Sequence, residues 1–374
     1  MPDGRPVRLL HAFATFALGG PQARFIRLVD ALGPRFHHVI VAMDNCFDAA
    51  ASIRHLPNVE LLPLDTKRGR DLDNVPLLWR TLGSVRPDRL VSYNWGAFEW
   101  TFANAFRRVP QLHVEEGFGP QETVRRLPRR SMARRVGVRC APVTLVTVSR
   151  TMARIAREEW RVRPSRLVTV ANGVDVAGYR PRALREGASR FAKDGGRVVG
   201  TVAALRPEKR LDRLIEAFAI ARGTDPSLRL VIAGDGPSRP ELEACCDRLE
   251  VRDAVEFTGF VADPRALYAE FDAFALTSDT EQMPMAVLEA MAAGLPVVST
   301  DVGDVREMVA TENTEFVVPS DPARLARALH ESMATPERAR SIGMANHRRA
   351  REAFAASRMN DAWSSLYAAG RLAA

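Results

Sequence analysis

The sequence predicts an α/β protein built from two domains, each with a parallel sheet. Three observations carry this reading. At 374 residues the chain exceeds one ordinary hydrophobic core and suggests two domains of about 150–200 residues each. Strand-length apolar runs alternate with helix-period stretches through both halves, with short connections, which is the pattern of a parallel sheet covered on both faces. One stretch, residues 278–300 (SDTEQMPMAVLEAMAAGLPVVST), reads strand end, loop, short helix, strand. Strand ends of this kind are where open parallel sheets present their ligand sites.

In the first half VRLLHAF is a strand that ends at Gly19 and Gly20, and QARFIRLVDAL follows with helical apolar spacing. Paired glycines at a helix start let backbone approach a ligand closely. HHVIVAM, VELLPL, DRLVSY, QLHVE and VTLVTVS read as further strands, and VPLLWRTLG as a helix with Gly83 as its stop. No G-x-G-x-x-G follows the first strand, so a dinucleotide enzyme is a poor reading. His113 to Gly119 follow or end a strand and are expected to line a ligand crevice. A buried, hydrogen-bonded role for His113 stands beside an active one. SYNWGAFEW, residues 92–100, follows a strand end and is a second candidate ligand-facing surface.

In the second half RVVGTVAAL, LRLVIAG, VEFTGF, AFALTS, PVVST and EFVVP are the strands, with LDRLIEAFAIA and ELEACCDRLE among the helices. Within residues 278–300, Pro284 suits the first helical position and Gly294 the left-handed residue just past the last turn. Glu281 and Glu289, with seven residues between them, frame this helix. A helix N-terminus at a strand's carboxyl end attracts anions, and a carboxylate beside it can accept hydrogen bonds from hydroxyls. The combination suggests a ligand that carries both phosphate and sugar. The closing stretch, HRRAREAFAASRMNDAWSSLYAAG, is helical, with Trp363 and Tyr367 one turn apart.

Glu, seven residues, Glu, running on into LEAMAAGLPVVSTDVG, resembles the signature of retaining nucleotide-sugar glycosyltransferases of the GT-B fold, family 4 especially. The resemblance covers nearly the whole chain and is most specific in the second half. It implies two Rossmann-like parallel-sheet domains facing across a cleft, over residues 1–172 on the acceptor side and 173–349 on the donor side. Asn172 to Asp175 resembles the family's linker, and a terminal helix over 350–374 is expected to pack back on the first domain. By the same resemblance Glu281 contacts hexose hydroxyls and Glu289 the ribose. Met283, Met285 and Ala286 lie against the donor, and Gly20 approaches its phosphates. Gly234 belongs to the glycine turn AGDGP, Phe260 and Val261 to the segment that meets the base, and His113 to the hexose or acceptor side. Lys209 matches the family's phosphate-binding lysine. The usual arginine five residues earlier would fall on Ala204, which departs from the pattern, and Arg206 can substitute because a guanidinium binds two phosphate oxygens. Gln282 and Pro284 replace the two glycines usual in the loop, and Asp304 replaces a third.

The implied reaction is retaining, metal-independent transfer of a hexosyl-type group from a UDP- or GDP-linked sugar to a lipid-linked, polysaccharide or lipopolysaccharide acceptor. No cofactor beyond that co-substrate is expected. Two other readings stay open: a sugar-nucleotide epimerase of the same fold, and a weakly active nucleotide-sugar-binding protein, which Ala204 suggests. A glycosidase is excluded because its two carboxylates must flank the sugar, whereas Glu281 and Glu289 share one loop–helix unit. Asp71-Leu72-Asp73 precedes a helix and reads as a cap rather than a metal site.

Apolar content of 46% and charged content of 26% are those of a soluble globular protein, with no run long enough to span a membrane. The opening RPVRLLHAFATFALGG imitates a signal peptide only faintly, because His11 breaks its apolar run. The four cysteines show no metal or disulfide spacing, which fits a reducing compartment. The expected location is cytoplasmic or peripheral on the inner face of the plasma membrane. The formal charge of +8 is uneven, because residues 1–172 hold 27 Lys and Arg against 15 Asp and Glu. Arg125 to Arg139 contains seven arginines and no acid, suited to anionic lipid headgroups or a phosphorylated acceptor. No nucleic-acid motif accompanies this charge.

Overall fold

The computed structural model describes residues 5–17, 19–67, 72–118, 122, 127–184, 187–192 and 195–369. The described residues form two compact units, 1–171 with 357–374, and 172–356.

The first unit is built on β1 (Val7–Phe13), β2 (Phe36–Ala42), β3 (Val59–Leu61), β4 (Arg89–Tyr93), β5 (Gln111–Glu115), β6 (Val143–Thr147) and β7 (Leu167–Thr169). These pair in parallel in the order β3-β2-β1-β4-β5-β6-β7. One sheet face is covered by α1 (Gly20–Leu32) and the C-terminal α13 (Ala356–Ala369), whose Trp363 and Tyr367 pack into a core with Phe25, Phe36 and Tyr93. Arg89 ties this helix down by donating to the carbonyls of Tyr367 and Ala368 at 2.7 and 2.8 Å. The other face carries α2 (Val75–Val85), α3 (Glu99–Arg107), α4 (Pro128–Cys140) and α5 (Arg150–Glu158).

The second unit repeats the plan with β8 (Val198–Val202), β9 (Arg229–Ala233), β10 (Val255–Gly259), β11 (Ala273–Leu276), β12 (Val297–Thr300) and β13 (Val317–Val318), in the order β10-β9-β8-β11-β12-β13. Its helices are α6 (Leu211–Thr224), α7 (Arg239–Arg248), α8 (Arg265–Tyr268), α9 (Met285–Ala292), α10 (Val305–Met308), α11 (Pro322–Ser332) and α12 (Pro336–Ala353). The main core lies under α6, α7 and α11. On the opposite face α9 packs against α12, where His347 Nδ1 lies 2.7 Å from the Ala292 carbonyl.

Several expectations change. The stretch after α5 contains a strand, β7, that short length and partial exposure hide in the sequence. Gly83 does not stop α2; the helix continues to Val85, and Arg86 takes the left-handed φ of 47° instead. Beside Gly83 the exposed Arg107 guanidinium of α3 occupies the space where a Cβ would stand. Pro284 caps α9 rather than opening it, with extended φ and ψ of −66° and 125°. The C-terminal helical stretch is interrupted at residues 354–355. There Val174 N–H donates to Phe354 at 2.8 Å and Ala356 N–H to Val174 at 2.9 Å, so α12 stays with the second unit. Asp71, Gly119, Arg125 and Arg126 lie outside the described residues.

The arginine run is also divided. Arg134 is buried and donates from Nε to Glu115 at 2.6 Å, with Glu122 at 3.5 Å and its guanidinium 4.7 Å from the Trp160 ring. Arg130 pairs with Glu122 at 3.2 Å. These two arginines are structural, and the acids that balance them lie upstream of the run.

Candidate active site

The site in the second unit starts where β11 ends. Thr277 directs its hydroxyl to the Arg210 carbonyl at 2.9 Å, and Arg213 donates to the Thr277 carbonyl at 2.8 Å and to Asp279 at 2.7 Å. The loop after β11 is thereby fastened to the loop between β8 and α6. From the other side Thr300 donates to the Ser278 carbonyl at 2.7 Å, and Asp304 N–H to the Gln282 carbonyl at 2.9 Å. Gly303, with φ of 56°, lets the next loop press directly on residues 281–282, where a Cβ would sit 2.5 Å from two carbonyl oxygens.

This frame holds Glu281. Its Oε1 accepts from Lys209 Nζ at 2.5 Å and from Ser278 Oγ at 2.8 Å. Both partners of the ion pair keep open surface, with side-chain exposures of 12% for Glu281 and 25% for Lys209. An ammonium has three donors and a carboxylate about four acceptor positions, so each retains capacity for a ligand. Glu289, on the second turn of α9, accepts a hydrogen bond at 3.0 Å from the hydroxyl of Tyr268, a fully buried residue. Tyr268 and Ser278 escape sequence reasoning: the tyrosine lies 21 positions before its carboxylate, and no local spacing joins them.

The remaining donor-side candidates occupy adjoining loops. Gly234, with φ of 137°, sits where any Cβ would overlap the Ala203 carbonyl, and its N–H donates to Gly259 at 2.8 Å. Leu205 N–H donates to Asp235 at 2.9 Å, so the segments after β8, β9 and β10 are laced together. Ala204 and Arg206 are exposed, and Arg206 has no ion-pair partner among the described residues. Phe260 is exposed and Val261 half-buried. Met285 and Ala286 are half-buried at the α9 start, whereas Met283 is buried, with its carbonyl accepting from Asn172 at 2.8 Å. Among the described residues no group of three His, Cys, Asp or Glu side chains is arranged to hold a metal.

In the first unit Gly20 is the first residue of α1, with open space where a Cβ would stand. His113 departs from the active alternative. It is fully buried, with Nδ1 2.8 Å from Ser92 Oγ, Nε2 3.3 Å from Glu115, and Phe98 edge-on to its ring. Burial would push the Glu115 carboxyl up, but Arg134 and His113 hold it below the usual carboxylate range. His113 therefore takes the buried, hydrogen-bonded alternative, within an internal network with Ser92 and Glu115.

The family model "Glycosyltransferase Family 4" matches residues 18–177, and "Glycosyl transferases group 1" matches residues 186–349. This chain belongs to the family 4 (group 1) glycosyltransferases. Among curated relatives of this glycosyltransferase is the GDP-mannose-dependent alpha-mannosyltransferase of Mycobacterium tuberculosis, strain CDC 1551, 33% identical over 170 residues. The protein of the same description from Mycolicibacterium smegmatis is 37% identical over 152 residues. These matches take in 43% and 40% of this chain, and 42% and 38% of the relatives' own lengths. In three dimensions the glycosyltransferase resembles Anabaena Alr3699/HepE, solved in complex with UDP, with a TM-score of 0.79 and 21% identity over 97% of this chain and all of that one. It also resembles WaaG, a glycosyltransferase involved in lipopolysaccharide biosynthesis, with a TM-score of 0.74, 18% identity and coverage of 97% and 100%. The fold is GT-B.

Proposed function

We propose that this protein moves a hexosyl-type group from a nucleotide-sugar to a lipid-linked or glycan acceptor, with retention at the anomeric carbon and without an essential metal. The observation that carries the reading is the Lys209–Glu281 pair. A cation and a carboxylate, both only partly exposed, stand together at the mouth of α9, and Glu289 follows two turns along, held by Tyr268. Lys209 donates one hydrogen bond to Glu281 and keeps two N–H groups for diphosphate oxygens. The first N–H groups of α9, at Met285 and Ala286, lack helical partners and add partial positive charge. Arg206, exposed and without an ion-pair partner among the described residues, takes the place of the cation missing at Ala204.

As the glycosidic bond breaks, negative charge grows on the diphosphate oxygen, and these prearranged donors stabilise it. The acceptor hydroxyl attacks from the leaving-group side and passes its proton to the departing phosphate, so no protein nucleophile is required. Glu281 orients the hexose hydroxyls and Glu289 the ribose. The named relatives favour a GDP-linked mannosyl donor, and the UDP complex of the Anabaena neighbour a UDP-linked one.

A thermal-shift screen over UDP- and GDP-sugars decides between them. A cognate donor at a hundred times its Kd adds about 2.7 kcal/mol of stability. Transfer of labelled sugar into a membrane extract then establishes the reaction, and EDTA leaves it intact. Glu289→Ala weakens nucleotide binding more than Glu281→Ala, which mainly lowers turnover. The reverse order, or no donor shift at all, overturns the assignment.

A further inference from the structure

The chain enters the second unit at Asn172, and residues 172–182 run along α9 as a strap. At one end Asn172 Nδ2 donates to the Met283 carbonyl at 2.8 Å, just ahead of the helix, and the Asn172 backbone N–H meets Met283 Sδ at 3.2 Å. At the middle the Tyr179 ring stands edge-on to Tyr268, with 5.8 Å between centroids, and Tyr268 holds Glu289. At the far end Arg182 N–H donates to the Ala293 carbonyl at 2.7 Å, past the last helical turn. Val174 fixes the strap from behind through its backbone bonds with Phe354 and Ala356.

Asn172 and Met283 are both buried. The Met283 carbonyl stands ahead of the Pro284 cap, outside the helix, so α9 supplies it no partner. A carbonyl only accepts, so the amide nitrogen of Asn172 must face it. Two residues before Met283 is Glu281 with its Lys209 partner, and two residues after it is Met285, which opens α9.

We infer that Asn172 is a positioning residue of the donor site. By anchoring the Met283 carbonyl it sets the turn that aims the Met285 and Ala286 N–H groups, and the loop bearing Glu281, at the β-phosphate of a nucleoside diphosphate. It touches no reacting atom. The inference rests on the transferase reading for the identity of that ligand. Without the amide a buried carbonyl loses its partner, and the loop relaxes towards water to satisfy it.

The test is calorimetric titration of UDP, UMP, GDP and GMP into the parent protein, Asn172→Ala and Asn172→Asp. Aspartate keeps the size of the side chain but turns an oxygen towards the carbonyl, so a role in packing alone would leave that variant like the parent. For the base that binds, diphosphate affinity is expected to fall about tenfold in both variants, the effect of one hydrogen bond lost at a buried carbonyl, while monophosphate affinity stays within about twofold. A general loosening of the unit would move both nucleotides alike. A second arm needs no ligand. Val287 and Leu288 N–H donate to the Pro284 carbonyl at 3.2 and 3.4 Å, and hydrogen exchange at these amides is expected to quicken about tenfold in both variants. Equal loss of mono- and diphosphate affinity, parent-like affinities in the variants, or unchanged exchange would overturn the inference. A parent protein that binds no nucleotide overturns the transferase reading instead, and the exchange arm still decides whether Asn172 positions the loop.

Discussion

Two strand ends in this protein carry a glutamate with a cationic partner, and they behave as opposites. At the end of β5, Glu115 is sealed with Arg134 and His113, all of them buried. After β11, Glu281 meets Lys209 in a pair that both residues leave partly open. Composition is nearly the same at the two places. What separates them is where the cation comes from. Arg134 reaches back from a helix that lies across the strand end, whereas Lys209 rises from a neighbouring loop at the same edge of its sheet. The first arrangement closes over its charges and becomes a fastener; the second leaves donors and acceptors for a ligand.

The contrast breaks most sharply at Arg134. Arg134→Ala leaves the buried Glu115 without its cation, while Glu122 keeps Arg130, and is expected to cost about 3–5 kcal/mol in denaturant unfolding. A cost below about 1 kcal/mol would mean that the network is not closed. Lys209→Ala behaves inversely: kcat falls about 100- to 1000-fold, while stability changes by less than about 1 kcal/mol, the range of a partly solvated pair. Equal losses of both quantities would erase the distinction between fastener and site.

Acid sharpens the comparison, because the first unit also buries His11 and His38, with His11 Nε2 3.0 Å from His38 Nδ1. Burial holds His38 neutral, with its pKa lowered to about 3, and burial together with His38 holds His11 well below the ordinary value. The unfolded chain takes up these protons near pH 6.5, so the stabilisation is whole above that pH and drains away below it. His38 alone accounts for about 2 kcal/mol between pH 6.5 and about pH 5. Unfolding midpoints at the two pH values check this, and His38→Leu should flatten the dependence. The smallest effect is expected at Tyr268. Tyr268→Phe removes the hydrogen bond that positions Glu289, raising the donor Kd about tenfold with kcat at saturating donor little changed. Loss of kcat without loss of affinity would place the hydroxyl elsewhere in the mechanism.

Much of this architecture is legible in the sequence because period carries it. Alternating strand and helix runs mark twelve strands of the two sheets, and the flanks of Glu281 and Glu289 locate the loop–helix unit that presents them. What stays hidden depends on contacts between distant residues. Nothing near Gly83 announces that Arg107 fills the space a side chain would need. An acid-free run from Arg125 to Arg139 looks solvated until Glu115 and Glu122 fold beneath it. His113 looks like a group at a crevice because strand position alone cannot say that Ser92 and Glu115 occupy both ring nitrogens.

The laced segments after β8, β9 and β10 bear on how a ligand arrives. Because Leu205, Gly234 and their neighbours are joined backbone to backbone, the conformational entropy of those segments is lost during folding and not at encounter. Capture at that wall is then a single bimolecular event, and in a rapid-mixing trace its observed rate climbs in proportion to donor concentration with no plateau from a slow rearrangement.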